Sequence, residues 1–448
     1  MKKVLIIANY KGSIGGISGQ VEVLRDNLNS EGLQCGKWKE ESGKSSIEDR
    51  RLGIGDCPYH ADIFSTQGNV VKRVWKFVEL LIVARKYDVL HIHGCSERGM
   101  LPIVCGVIAG KIWRKRIIVT YHGGDAGKYF AKRGDFARRW LRRADKVIVL
   151  NGYLEKVFTK YDIPCIVIPN CITLSGAQEH SAYQWDAPRF ISVRHLRELY
   201  NIPCILKAFA KVQEQVPGAT LTILGSGPQL EELQEWVKKK VESGKLKEES
   251  VKFVGQVANS EMPKYLAESD IMLSAPRIDN MPVSVLEAMN AGVLVISSNV
   301  GGVPYMIEHG RTGLLFDLIE NKNNKNIDKN NENNIIGNQK KYKENTEESS
   351  VTDSASTMLT PQSACMQASR QTDDTSCSTN TINQCLSDDS SEKNTKNISF
   401  DPADALAEQM MWAVEHRKEC LRMIESAKQD VQKYSWEKIR NQLLPLYE

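Results

Sequence analysis

Short aliphatic runs that alternate with segments of helix length constrain this chain more than any other feature, and they come in two successive series. Residues 4–8, 89–92, 116–120, 147–150 and 165–168 make the first. Their apolar residues are contiguous, without the every-second-residue polarity of a strand facing water, so they predict parallel strands buried on both faces. Parallel strands need crossovers, and segments such as 19–30 and 71–86 are long enough to be the crossover helices. The series stops at a polar stretch, 175–188, and restarts with runs at 190–193, 220–224, 251–254, 271–274 and 293–297. The expected fold is therefore α/β: two Rossmann-like, doubly wound domains facing a central cleft, with 175–188 as their linker. The N-terminal domain takes residues 1–174, the C-terminal domain 189–316 and 401–432, and 433–448 forms a last helix.

Residues 317–400 interrupt that pattern. They hold 14 Asn and 12 Ser against one Gly and one Pro, and Tyr342 is the only aromatic before Phe400. That is too little apolar surface to offset the entropy of ordering, so a disordered, low-complexity segment is expected. Removing it would join Gly313-Leu314-Leu315-Phe316 to Asp401-Pro402-Ala403-Asp404, a strand running into a helix start. The segment therefore reads as an insertion in a surface loop, where extra length costs little stability. Its roles range from an inert insert to a regulatory or partner-binding one.

Several functions are disfavoured by composition. With 59 basic and 55 acidic residues the net charge is only +4, too even for nucleic-acid binding to be expected from charge. The longest uncharged apolar stretch, 99–110, falls well short of the ~20 residues that span a bilayer. Met1-Lys2-Lys3 is followed by too short an apolar run for a signal-peptide core, which points to the cytoplasm. The cysteines number eleven, are scattered and form no CxxC pair, so neither a disulfide framework nor a zinc site is expected.

The densest chemistry lies in Asp279-Asn280-Met281-Pro282-Val283-Ser284-Val285-Leu286-Glu287-Ala288-Met289, followed by Gly301-Gly302-Val303-Pro304 and Gly310-Arg311-Thr312-Gly313-Leu314-Leu315. Pro282 suits a helix start. The free backbone N–H groups near Val283, Ser284 and Val285 would make an anion site there. Glu287, just over one turn on, could accept from two neighbouring ribose hydroxyls. One helix start could thus hold both the diphosphate and the sugar of a nucleotide.

This run resembles the family 4 retaining glycosyltransferases of the GT-B fold (glycosyl transferases group 1), and other pieces agree in order. Gly15-Gly16 follows the first strand, Asp88-Val89-Leu90-His91-Ile92-His93 matches an Asp-x-x-His-x-His strand, and Thr120-Tyr121-His122-Gly123 a His-Gly loop. Ile168-Pro169-Asn170, Leu224-Gly225-Ser226-Gly227-Pro228, Phe253-Val254-Gly255 and Tyr434-Ser435-Trp436-Glu437 complete the series, which covers essentially the whole chain outside the insertion. The resemblance implies a hexosyltransferase-type enzyme that moves a sugar from a nucleotide sugar, UDP- or GDP-linked, to a glycan or lipid-linked glycan in polysaccharide or glycoconjugate biosynthesis. It implies that Glu287 binds the donor ribose, that Asp279 faces the transferred sugar and that His122 sits beside the anomeric carbon. Gly15 and Gly16 would let backbone approach the diphosphate, and Arg194 would neutralise it as it leaves. By the same resemblance, the final helix crosses back to the first domain.

Two positions depart from the family pattern. Asp279 stands where Glu is usual, and Tyr200 about where a Lys is expected; Arg277 is the preferred substitute for that missing cation. No Asp-x-Asp metal motif occurs, so catalysis without metal or cofactor is expected. His91, His93 and His195 are set aside as structural, and Gly225-Ser226-Gly227 as a turn, because it lacks the third glycine of a dinucleotide fingerprint. Between Lys128 and Lys146 lie Lys132, Arg133, Arg138, Arg139, Arg142 and Arg143. Such a run is ordinarily a solvated helix face, and peripheral contact with an anionic membrane is the other reading. The alternatives to transfer are a non-catalytic subunit that binds nucleotide sugar or a partner enzyme, and a nucleotide-sugar isomerase.

Overall fold

The computed structural model describes residues 1–10, 16–31, 58–174, 180–319 and 400–448. The insertion, apart from 317–319 and 400, and Gly15 lie outside the described residues.

The first series folds into β1 (Lys2–Ala8), β2 (Tyr59–Ser65), β3 (Val89–Gly94), β4 (Arg116–Tyr121), β5 (Lys146–Val149) and β6 (Ile166–Val167). All pair in parallel, in the order β2-β1-β3-β4-β5-β6. Alternate residues of β1 feed two cores. Leu5 and Ile7 face α2 (Val70–Ala84), α3 (Met100–Ile112), α4 (Ala126–Leu141) and α5 (Gly152–Lys160). Val4, Ile6 and Ala8 face α1 (Gly16–Ser30). Burial on both faces is what contiguous apolar runs require.

The second series gives β7 (Arg189–Val193), β8 (Thr220–Leu224), β9 (Val251–Gly255), β10 (Ile271–Ser274), β11 (Leu294–Ser298) and β12 (Leu314–Phe316), in the parallel order β12-β11-β10-β7-β8-β9. Its helices are α6 (Ile202–Gln215), α7 (Leu230–Glu242), α8 (Met262–Ala267) and α9 (Val283–Asn290), then α10 (Pro402–Glu415) and α11 (Arg417–Asp430). Asp401 caps α10 by accepting from the Ala403 N–H at 2.9 Å.

The last helix, α12 (Trp436–Leu443), leaves the second domain and packs Trp436, Ile439 and Leu443 into the α1 face of the first sheet. Glu31, buried at the end of α1, accepts from Trp436 Nε1 at 2.6 Å and from Arg440 Nη1 at 3.1 Å. Between the domains, Leu150 and Ile172 of the first contribute to a core cluster of the second.

One strand differs from expectation. Tyr59–Ser65 forms a strand that belongs to neither series of apolar runs. Among the described residues it is an edge strand, paired only with β1, and its partly exposed residues leave no contiguous apolar run to betray it.

Candidate functional site

In each sheet the strand order reverses between two neighbouring parallel strands, β1 and β3 in the first and β7 and β10 in the second. Loops leaving such a pair diverge and open a crevice at the carboxyl ends of the strands. The two crevices form one cleft of about 770 Å³, lined by Gly16, Ser96, His122, Lys128, Arg194, Tyr200, Gly225, Asp279, Val283, Ser284 and Glu287, among others.

Arg194 is the first residue past β7 and Asp279 lies five past β10. Arg194 Nη2 stands 3.1 Å from Asp279 Oδ2, an ion pair with both side chains largely buried, and donates to Ser274 Oγ at 3.1 Å. Among the described residues, Asp279 Oδ2 and Arg194 Nε are buried without a hydrogen-bond partner. Tyr200 lies under the guanidinium, 5.4 Å from it, close enough for cation–π attraction. The position expected to hold a second cation therefore holds a ring that supports the first.

Arg277 is corrected by the geometry. Its backbone N–H donates to Leu199 O at 2.8 Å, but its side chain is exposed and does not line the cleft.

Two glycines hold the Arg194 and Asp279 loops at close range. Gly225 has φ +134°, and a Cβ there would meet Arg194 O at 1.9 Å; at Gly301, φ +54°, it would meet Asp279 O at 2.1 Å. Only glycine allows backbone to approach backbone this way. Gly225 and Ser226 line the cleft, a role missed in the sequence. Its signal was the glycine pair at the end of an apolar run.

Val283, Ser284 and Glu287 of α9 face the cleft. Among the described residues Ser284 Oγ is buried without a partner, and burial pushes the Glu287 carboxyl above its ordinary pKa. Val285 does not join them. Its side chain is fully buried in the core, and its N–H already donates to Pro282 O at 3.2 Å.

From the first domain, His122 follows β4 and reaches the cleft. Behind it, His93 Nδ1 lies 2.9 Å from His122 Nε2. The His91 ring lies tilted against His93 with centroids 4.5 Å apart, and bonds Thr120 Oγ1 and Tyr447 Oη at 2.8 Å each. Desolvation lowers the pKa of all three, His122 to about 4, His91 to about 3 and His93 well below its ordinary value. The rings are therefore neutral near pH 7, and the one proton between His93 Nδ1 and His122 Nε2 couples the tautomers of the two rings. Sequence reasoning left His93 aside; its signal was the x-His-x-His spacing, which puts two rings on one face of a strand. Asn280 ties the halves together, donating to His122 O at 3.3 Å and accepting from Asn151 Nδ2 at 2.7 Å. Among the described residues, no three His, Cys, Asp or Glu side chains converge as metal ligands.

Two family models match the chain, one on each side of this cleft: Glycosyltransferase Family 4 over residues 43–175 and Glycosyl transferases group 1 over 178–349. Among curated relatives, the chain is 33% identical over 246 residues to N-acetyl-alpha-D-glucosaminyl L-malate synthase of Bacillus anthracis, covering 52% of this chain and 61% of that protein. It is 33% identical over 139 residues to the GDP-mannose-dependent alpha-(1-6)-phosphatidylinositol monomannoside mannosyltransferase of Mycobacterium tuberculosis, covering 30% of this chain and 35% of that one. The matches thus span less than two thirds of either relative. Among solved structures, Anabaena Alr3699/HepE in complex with UDP and glucose superposes with a TM-score of 0.61 at 14% identity, covering 99% of both chains.

Proposed function

We propose, because this chain belongs to the family 4 glycosyltransferases of GT-B fold, that it moves a sugar from a UDP- or GDP-linked donor to a glycan or lipid-linked glycan, with retention at the anomeric carbon and without a metal. The observation that carries this reading is the convergence of Gly16, His122, Arg194, Asp279, Ser284 and Glu287 on one cleft from both domains. A volume of about 770 Å³ is within the usual range for a pocket of this kind. A relative named for a GDP-mannose donor and a phosphatidylinositol monomannoside supports the substrate classes.

In this reading Glu287 accepts from the ribose hydroxyls, which restores hydrogen bonds that burial has taken from its carboxyl. The diphosphate lies against Val283, Ser284 and Gly16. Arg194, already paired with Asp279, exchanges that carboxylate for the phosphates. Asp279 is then free to accept from the transferred sugar, so the ion pair holds both groups ready for the donor. As the bond to the anomeric carbon breaks, charge grows on the leaving diphosphate, and a planar fork fixed by Ser274 and Tyr200 stabilises it without reorganising. The acceptor hydroxyl attacks on the face the diphosphate vacates, beside the neutral His122, and passes its proton to the departing diphosphate oxygen. The non-catalytic reading is not favoured, since the relatives are themselves named as enzymes, a synthase and a mannosyltransferase. The reaction belongs to polysaccharide or glycoconjugate biosynthesis, on the cytoplasmic side of a membrane.

Glu287→Gln keeps the shape and removes the charge, so donor affinity should fall by ~1.5–3 kcal/mol with little change in melting temperature. Arg194→Ala should slow transfer ~10²–10³-fold. Titration of nucleotide sugars, followed by transfer assays, reads both. Unchanged affinity in Glu287→Gln removes the ribose assignment, and a full chain that transfers no sugar from any donor restores the non-catalytic subunit.

A further inference from the structure

Helix α2 is apolar on two sides. Its inner side packs Leu80 and Ala84, both fully buried, against the first sheet. Its outer side presents Val71, Val74, Trp75, Val78 and Ile82 to solvent, with Trp75 70% exposed. These positions follow a helical period, so they form one continuous stripe. Scattered exposed apolar residues need no partner, but a stripe of five on a 15-residue helix does.

The helices beside it extend the surface. Helices α2, α3, α4 and α5 pack against the same side of the first sheet, and their outer sides form one layer. Next to α2, the end of α3 adds Ile112 and Trp113, 56% and 42% exposed, and Trp113 Nε1 donates to Leu81 O of α2 at 2.7 Å. Beyond α3, helix α4 and the residues after it carry Lys132, Arg138, Arg139, Arg142 and Arg143, all exposed. Within α2 itself the charges are Lys72, Arg73 and Lys76 against Glu79.

We propose that this helical layer binds the surface of an anionic lipid bilayer. The stripe of α2 and the rings of Trp75 and Trp113 enter the boundary between headgroups and acyl chains, and the basic side chains of α4 rest on anionic headgroups. Three features single out a bilayer as the occupant. An apolar stripe flanked by lysine and arginine is the pattern of a helix lying in a membrane interface. Tryptophan is the side chain that prefers that boundary. Exposed cations in this number are drawn to anionic headgroups, whereas a second copy of the same basic face would repel them. The helix lies in the plane of the surface, since no helix among the described residues is long and apolar enough to cross a membrane. Lys128, near the start of α4, lines the cleft, so the basic face continues into the site. Bilayer binding thereby deepens the proposed transfer to lipid-linked glycans, and it can be measured without donor or acceptor.

The test is co-sedimentation of the full chain with phosphatidylcholine vesicles and with mixed phosphatidylcholine–phosphatidylglycerol vesicles, while Trp fluorescence is recorded. The expected result is binding to the mixed vesicles with a blue shift in emission, and release as salt is raised. The double variant Val74→Ser/Trp75→Ser should reduce partitioning ~10-fold or more, since it removes two large apolar groups from the interface. Arg139→Glu/Arg143→Glu should abolish the preference for anionic vesicles. Melting curves with a nucleotide sugar check that each variant is folded and binds donor. No vesicle binding by the parent chain, or equal binding by the Val74/Trp75 variant, overturns the proposal. So does a concentration-dependent dimer that the same variant dissociates, which would make the stripe an interface between copies. A chain that binds vesicles but transfers no sugar fails the proposed reaction alone; one that glycosylates a water-soluble acceptor but ignores vesicles fails the membrane proposal alone.

Discussion

At the scale of single residues, the chemistry of this protein depends on side chains held in states that water would not give them. His91, His93 and His122 are the clearest case, because desolvation keeps all three neutral far below their ordinary pKa. In the unfolded chain each would take a proton below about pH 6.5, whereas in the folded chain His122 resists protonation until about 4 and His91 until about 3. The unfolded state thus binds more protons as pH falls from about 6.5 towards 4, and stability declines over that window. Each histidine contributes a slope of up to ~1.4 kcal/mol per pH unit. Glu287, raised by burial, runs the opposite way with one proton against three. Urea melts at several values between neutrality and pH 4.5 should therefore show falling stability, and His122→Asn should flatten the curve. A flat curve for the parent chain would mean that the rings are already charged in the folded protein.

Loops that leave the strand ends decide the site at the scale of elements, and glycine decides the loops. The turn after β8 presses on the loop that carries Arg194, and no side chain fits between them. Gly225→Ala would force a Cβ into a carbonyl oxygen at a φ of +134°, a conformation that costs an L-residue of order 1–3 kcal/mol even in open space. The expected outcome is a lower melting temperature together with weakened donor binding, because Arg194 moves with the loop. A Gly225→Ala variant that melts normally and binds donor as tightly as the parent would show that the two loops are not coupled. Helix α9 carries a related lesson. Its sequence offered three consecutive backbone amides, but Val285 faces the core and only Val283 and Ser284 reach the cleft. The N–H groups of a helix start point along its axis whichever side chain faces the core, and that of Val285 is withheld because it donates to Pro282 O.

At the scale of the whole molecule, residues 1–319 and 401–448 form one compact unit, with the final helix of one end buried against the first sheet of the other. Strand β12 ends at Phe316 and α10 begins at Pro402, so excising 320–399 should leave melting temperature and donor-induced stabilisation unchanged; an insoluble product, or loss of that stabilisation, would give the insertion a structural role. The two series of apolar strands, the double α/β fold and the family motifs were legible in the sequence, because burial on both faces of a parallel sheet demands contiguous apolar residues wherever such a strand occurs. The polar edge strand Tyr59–Ser65 was not, since it pairs on one side only. Most of the expected site residues were legible as types. What only the tertiary structure decided was their pairing: Arg194 with Asp279, Tyr200 beneath Arg194, His93 behind His122, and Arg277 turned away from the cleft. Each of those relations joins residues from different strands or loops, and its distance is fixed by how two sheets and their glycine-lined turns pack, a quantity that no local run of sequence contains.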